Sequence, residues 1–204
     1  MTGLRRLIAL TVAFALAALA GSARAAVPAH EPDDMALGSP KAPVTVIEYA
    51  SVGCPHCAVW NHDVFPTIKA RYIDTGRVRF VMREMITGDP TIATAGFMLA
   101  RCAGPMKYFA VVDQVYSRQG EMWGKTANAG AVLGEIAKSV GMSEPDFEAC
   151  IDDQKGLDAL NARVAAHGKD GVSSTPTFFV NGKRLDEPLT LAQLAAAVHG
   201  GHRP

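Results

Sequence analysis

The hydrophobic pattern of the chain changes character several times along its length. Leu7 to Ala20 is an unbroken run of small and apolar residues behind Arg5 and Arg6. From Ala26 to Lys41 no period survives, because His30, Pro32, Asp33, Asp34, Gly38 and Pro40 interrupt it, and residues 26–43 read as a mobile linker. Val44-Thr45-Val46-Ile47-Glu48-Tyr49-Ala50 is a β-branched run of strand length between Pro43 and Gly53. His56 to Ile73 has helical spacing and is broken or kinked at Pro66, which has no N–H to give to residue i−4. Val78 to Arg83 alternates as a second strand.

From Asp89 the pattern is helical for about eighty residues. Asp89-Pro90, Gly104-Pro105, Asn128 and Ser143 each offer N-cap or first-turn chemistry, and Leu157, Leu160 and Val164 mark the apolar face of a fifth helix. Strand character returns at Thr177-Phe178-Phe179-Val180, ahead of the hairpin signal Asn181-Gly182, and Thr190 caps a last helix through Val198. Strands at both ends with helices between predict an α/β domain built from residues 44–87 and 172–204. A helical insertion over residues 88–171 interrupts it.

The first 25 residues read as a secretory signal peptide: two arginines, an apolar stretch, then Ala23-Arg24-Ala25 as an A-x-A site with cleavage after Ala25. A membrane anchor is the competing reading, but a span needs about 20 apolar residues and this run ends sooner, at Gly21-Ser22. The chain of 204 residues has 20 basic and 20 acidic side chains. Loss of Arg5, Arg6 and Arg24 with the leader leaves 17 basic against 20 acidic, a formal charge of −3, which gives nucleic acid no basic surface to bind. All four cysteines lie beyond the leader, and in an exported protein an even count favours disulfides.

Cys54-Pro55-His56-Cys57 sits where the first strand ends and a helix begins. Two cysteines three apart at a helix start can close a small disulfide whose first sulfur stays open to attack. Pro55 suits the first helical position, and the free N–H groups of that turn, with the helix dipole and a protonated His56, stabilise a Cys54 thiolate. Cys57, one turn further in, is the resolving thiol. A zinc site would need two more ligands at matching spacing, and neither Cys102 nor Cys150 belongs to a second CxxC. Glu48 breaks an otherwise apolar strand six residues before Cys54. It is either an edge or ion-paired residue, or a buried carboxyl that exchanges a proton with Cys57.

A CxxC after a strand bearing an acid, a helical insertion, and Ser174-Thr175-Pro176-Thr177-Phe178 before a hairpin occur here in one order. In these motifs, over residues 37–200, the chain resembles the DsbA-like branch of the thioredoxin superfamily, the bacterial periplasmic disulfide oxidoreductases. The resemblance implies a thioredoxin fold with an inserted all-helical domain and no bound cofactor or metal. It makes Cys54 the nucleophile, Cys57 the resolving cysteine, His56 the main tuner of the potential and Glu48 the buried acid. Pro176 becomes a cis-proline facing the disulfide, and Thr175 offers main-chain groups to an extended substrate. Reduced exported proteins are then the substrates, and a DsbB-like, quinone-linked membrane oxidase the reoxidising partner of a monomeric periplasmic protein. One departure is Thr175. Strongly oxidising members usually carry valine there, whereas threonine is common in isomerase-type relatives and in some oxidases, and its hydroxyl can hydrogen-bond the Cys54 sulfur.

Two rivals remain. One is an isomerase or reductase held reduced by a partner, although residues 26–43 are short and irregular for the oligomerising segment such proteins carry. The other is a metal or assembly chaperone for a respiratory complex. Leu99 with Cys102, and Phe147 with Cys150 and Ile151, have helical spacing, so both sulfurs are expected to face the core of the insertion as one structural disulfide, or as two inert thiols. Met82, Met85, Met98, Met106 and Met122 are spaced irregularly and read as core rather than a copper surface. His199 and His202 read as a frayed terminus, and Trp60 and His62 as either a partner groove or an exposed helix face.

Overall fold

The computed structural model describes residues 31–124 and 128–200. The expected signal peptide, its cleavage after Ala25 and His202 lie outside the described residues. Five strands, β1 (Met35–Leu37), β2 (Val44–Ala50), β3 (Val78–Glu84), β4 (Thr177–Val180) and β5 (Lys183–Arg184), form one sheet in the order β1-β3-β2-β4-β5. β2 and β3 run parallel and the other neighbours antiparallel, so the sheet is mixed. A parallel pair needs a crossover. Helix α1 (Pro55–Asp63), a short α2 (Phe65–Ile68) and a π-helical turn over Lys69–Ile73 supply it. The expected kink is present: the helix breaks at Val64, two residues ahead of Pro66, which has no N–H to continue the i−4 ladder.

The insertion consists of α3 (Pro90–Cys102), α4 (Tyr108–Ser117), α5 (Gln119–Met122), α6 (Ala129–Ser139), α7 (Glu144–Ile151) and α8 (Gln154–Gly168), and α9 (Leu191–Gly200) closes the fold. The caps read from the sequence act as such. Asp89, Asn128 and Ser143 accept N–H groups of the turns they open, and Thr190 and Gln193 cap α9 reciprocally. Gly104-Pro105 instead forms a turn before α4, and α5 carried no recognisable start. Asn181 (φ 49°) and Gly182 (φ 76°) are both left-handed, as a tight hairpin between β4 and β5 requires.

Strand β1 lies inside the stretch expected to be a mobile linker. Its three residues are too few to register as a period, yet they pair antiparallel with β3. Glu31 and Asp34 just ahead of it reach the fully buried Arg83 guanidinium at 3.4 and 3.1 Å. Arg83 also donates to the Tyr49 hydroxyl at 2.8 Å, and Tyr49 to Asp170 at 2.6 Å. Next to it Glu84, pointing to the other face, takes hydrogen bonds from Arg101, Arg163 and Tyr108. The end of β3 is therefore a charged, fully paired seam between sheet and insertion.

The sheet has two apolar faces. Ile47, Tyr49, Val81 and Phe179 point to one, with Val172, while Val46, Ala50, Phe80, Met82 and Phe178 point to the other, under α1 and the insertion. Trp60, read as groove or exposed helix face, is core: it packs on Phe65, Phe80 and Phe178 and donates its indole N–H to the Leu189 carbonyl at 2.7 Å. His62 faces solvent and pairs with Asp63. Met82, Met85, Met98 and Met122 are buried, and Met106 is 95% exposed.

Candidate active site

Cys54 is the N-cap of α1, with extended backbone (φ −98°, ψ 122°), and Pro55 opens the helix. No side-chain cap serves this terminus, so the N–H groups of His56 and Cys57 are left to the Cys54 sulfur. The turn that delivers Cys54 is clamped. Its N–H donates to the Ser51 carbonyl, Gly53 donates to Ser51 Oγ, and Gly53 O accepts from Asp89. Gly88 (φ 72°) approaches Gly53 so closely that a Cβ there would lie 1.9 Å from its carbonyl oxygen, so only glycine fits. From the insertion, Gln119 Nε2 donates to the carbonyls of Val52 at 2.6 Å and Cys54 at 3.2 Å.

Neither Cys54 nor Cys57 is disulfide-bonded here, and burial differs little, 6% against 0% exposed. Their acidities differ greatly. A hydrogen bond from the Cys57 thiol brings Cys54 down to about 5 against the opposing effect of burial, and Thr175 and the backbone N–H groups of Cys57 and His56 act in the same direction. Cys57 is pushed far above the usual thiol range by burial, by its hydrogen bond to Cys54 and by the charge of Glu48. The His56 ring is exposed.

Glu48 lies on the face of β2 under α1, between Met82 and Phe178 of the neighbouring strands, and is 1% exposed. It is thus neither an edge residue nor a solvated one, and its Oε1 meets no hydrogen-bond partner among the described residues. Burial, then the charge of Cys54, pushes its carboxyl up to about 8. Tyr116 of α4, a residue the sequence did not single out, has a buried hydroxyl without a partner among the described residues. Burial, then the charges of Cys57 and Glu48, drives its ionisation well above the usual phenol range.

The Thr175–Pro176 peptide bond is cis, and the Cys54 thiol lies 3.4 Å from the Thr175 carbonyl, to which it donates. The fold thus brings Glu48, Cys54, Cys57 and Thr175 together from β2, α1 and the segment before β4. Cys102 and Cys150 are joined in a disulfide between the ends of α3 and α7, Cα atoms 6.2 Å apart. Cys150 is buried, but Cys102 is exposed rather than facing the core, since the last turn of α3 leaves it at the rim of a cavity of about 530 Å³ with Lys107 and Met142. One cluster of potential metal ligands, Glu31, Asp34 and His167, comes together among the described residues, and the Arg83 guanidinium already supplies its cation.

The family model described as Thioredoxin matches residues 30–199. A Rickettsia typhi protein provisionally named protein-disulfide oxidoreductase is 34% identical over 156 residues, 76% of this chain and 57% of that protein, so the chain spans little more than half of that relative. Disulfide bond formation protein D of Bacillus subtilis is 29% identical over 156 residues, covering 72% of this chain and 67% of its own. The crystal structure of Wolbachia pipientis alpha-DsbA1 matches with a TM-score of 0.75 at 29% identity, over 84% of this chain and 92% of that one.

Proposed function

Because the chain belongs to the thioredoxin family and stands in its DsbA-like branch, we propose that it is a thiol:disulfide oxidoreductase that donates a Cys54–Cys57 disulfide to folding exported proteins. The observation that carries this reading is the Cys54 sulfur at the uncapped start of α1, beside Cys57 and 3.4 Å from the carbonyl ahead of the cis-proline, a setting that draws the Cys54 thiol down to about 5 and pushes Cys57 far up. A thiolate that stable favours the reduced protein, which makes the disulfide form an oxidant, and it makes Cys54 a good leaving group.

A substrate thiolate attacks Cys54 Sγ and the Cys54–Cys57 bond breaks. Cys57 leaves with the bonding electrons and takes a proton from Glu48, whose carboxyl holds one at neutral pH. A second substrate thiolate then attacks the substrate sulfur of the mixed disulfide and expels Cys54 as thiolate. The substrate is oxidised by two electrons and this protein is reduced by two. Thr175 main-chain groups beside Cys54 align the substrate strand, with Pro176 next to them. His56 acts through its backbone N–H and, when protonated, as a cation at the helix start. We place the protein in the periplasm, exported by its leader and monomeric, with a DsbB-like, quinone-linked membrane oxidase restoring the disulfide. Cys102–Cys150 is a staple within the insertion, and residues 44–87 with 172–204 form the domain it interrupts.

Equilibration with glutathione tests the direction of transfer. A potential above about −180 mV supports a disulfide donor, and one near about −270 mV, the level of thioredoxin, overturns it. The second reading, a reductase or isomerase held reduced by a partner, is the one that lower value would support. A Cys57→Ser variant, whose lone Cys54 thiolate can only attack a disulfide already present in a substrate, should accumulate that substrate bound at Cys54.

A further inference from the structure

We propose that Thr87 is a positioning residue of the redox site: held to the turn that carries Cys54, its hydroxyl orients the Thr175 hydroxyl so that the Thr175 proton points at the Cys54 thiolate. This rests on the reading of Cys54 as the nucleophile with Thr175 beside it.

Thr87 moves only with the Cys54 turn. The Ser51 hydroxyl donates to the Thr87 carbonyl at 2.8 Å and accepts the Thr87 N–H at 3.3 Å, while the same oxygen takes the Gly53 N–H at 3.2 Å. The following residue, Gly88, is pressed against Gly53. From this fixed backbone Thr87 Oγ1 reaches Thr175 Oγ1 at 2.5 Å. The residue therefore ties the turn bearing the nucleophile to the segment bearing Pro176.

Only one proton lies between the two hydroxyl oxygens, and either can supply it. When Thr175 donates to Thr87, nothing is left for the sulfur. When Thr87 donates, the Thr175 proton is free. A Cys54 thiol donates its own hydrogen to the Thr175 carbonyl and tolerates both orders. A thiolate only accepts, so ionisation selects the order Thr87 O–H to Thr175 O–H to sulfur, in which each hydrogen bond strengthens the next. Without Thr87 the Thr175 hydroxyl can turn to another rotamer and bond to nearby backbone, as the Thr177 hydroxyl does with the Ser174 carbonyl at 2.8 Å.

The test measures Cys54 thiolate absorbance against pH, and the reduction potential, in Thr87→Val, Thr87→Ser, Thr175→Val and the Thr87→Val/Thr175→Val double variant. Thr87→Val is expected to raise the Cys54 pKa by about half a unit, a threefold change in its acid constant, and to make the potential more reducing. Thr87→Ser keeps the wild-type values, Thr175→Val shifts both in the same direction by at least as much, and Thr87→Val adds nothing to Thr175→Val. A shift of equal size in the Thr175→Val background, or a Thr87→Val protein with wild-type pKa, overturns the positioning role even where Thr175→Val behaves as expected. If Thr175→Val itself moves neither quantity, the reading of Thr175 fails and takes the proposal with it. Should Thr87→Val not fold, Thr87→Ala replaces it in the same series.

Discussion

Gln119 Nε2 donates to the Val52 carbonyl at 2.6 Å, so the helical insertion holds from behind the turn that presents Cys54. The same nitrogen reaches the Cys54 carbonyl. The turn that carries the nucleophile is therefore held by a residue that lies 65 positions further along the chain.

Replacement of Gln119 by Leu leaves the Val52 carbonyl buried without that donor and should cost about 1–3 kcal/mol in urea unfolding. Because the loosened turn aims the His56 and Cys57 N–H groups less well at the sulfur, the Cys54 pKa should rise. An unchanged Cys54 titration alongside the loss of stability would mean that Gln119 only attaches the insertion.

The acidity of Cys54 sets how the potential varies with pH. Of the two thiols of the reduced site, only Cys57 is protonated above about pH 5, and below it Cys54 is protonated too. Reduction then takes up one proton above that pH and two below it. The potential should fall by about 30 mV per pH unit above the break and about 59 mV below it. Stability follows the same sign. The folded pKa of Cys54 lies below its ordinary value near 9, so the thiolate stabilises the reduced fold fully above pH 9 and not at all below about 5. The gap in urea midpoint between reduced and oxidised protein should shrink as pH falls through that window, and a constant gap refutes the assignment.

Much of this site was legible because short motifs carry it. A CxxC after a β-branched strand, an acid inside that strand and a proline before the last hairpin are local patterns with local causes. What stayed hidden depends on long-range partners. Strand β1 exists because β3 offers it an edge and Arg83 offers Glu31 and Asp34 a charge, and neither is visible from the three residues themselves. Arg83 reads as the polar half of an alternating strand, yet β3 is covered on both faces and buries it among Tyr49, Asp34 and Asp170. Gln119, Thr87 and Tyr116 belong to no motif, and only tertiary contact brings the first two to the Cys54 turn. Trp60 looked like a candidate for a partner groove because helical spacing does not say which face of α1 the sheet covers.

Glu48 should cost the fold stability in proportion to its ionisation. Its pKa is raised from 4.5 to about 8, so the penalty is absent below pH 4.5, grows as pH rises and is complete above about 8. Glu48→Gln, which mimics the protonated carboxyl, should remove that slope and exceed the wild type by on the order of 3 kcal/mol near pH 7. The same change should slow resolution of the mixed disulfide by Cys57, which loses its proton donor and acceptor. Parallel stability curves for the two proteins between pH 4 and 9 would argue against a carboxyl that stays protonated to pH 8.

The Cys102–Cys150 bridge closes a loop of 48 residues wholly inside the insertion. In the chain-entropy account such a closure stabilises by about 4 kcal/mol, and less where the open chain retains structure. Cys102→Ser/Cys150→Ser should therefore lower the unfolding midpoint. The closed loop contains Gln119 but none of the residues that set the Cys54 thiolate directly, namely His56, Cys57 and Thr175. A native-state Cys54 titration and glutathione potential equal to the wild type would identify the bridge as a staple. A shifted potential in a variant that still folds would instead show that the insertion transmits the state of its own disulfide to Cys54, with the Gln119 hydrogen bond to Val52 as the route to examine next by combining the two sets of substitutions.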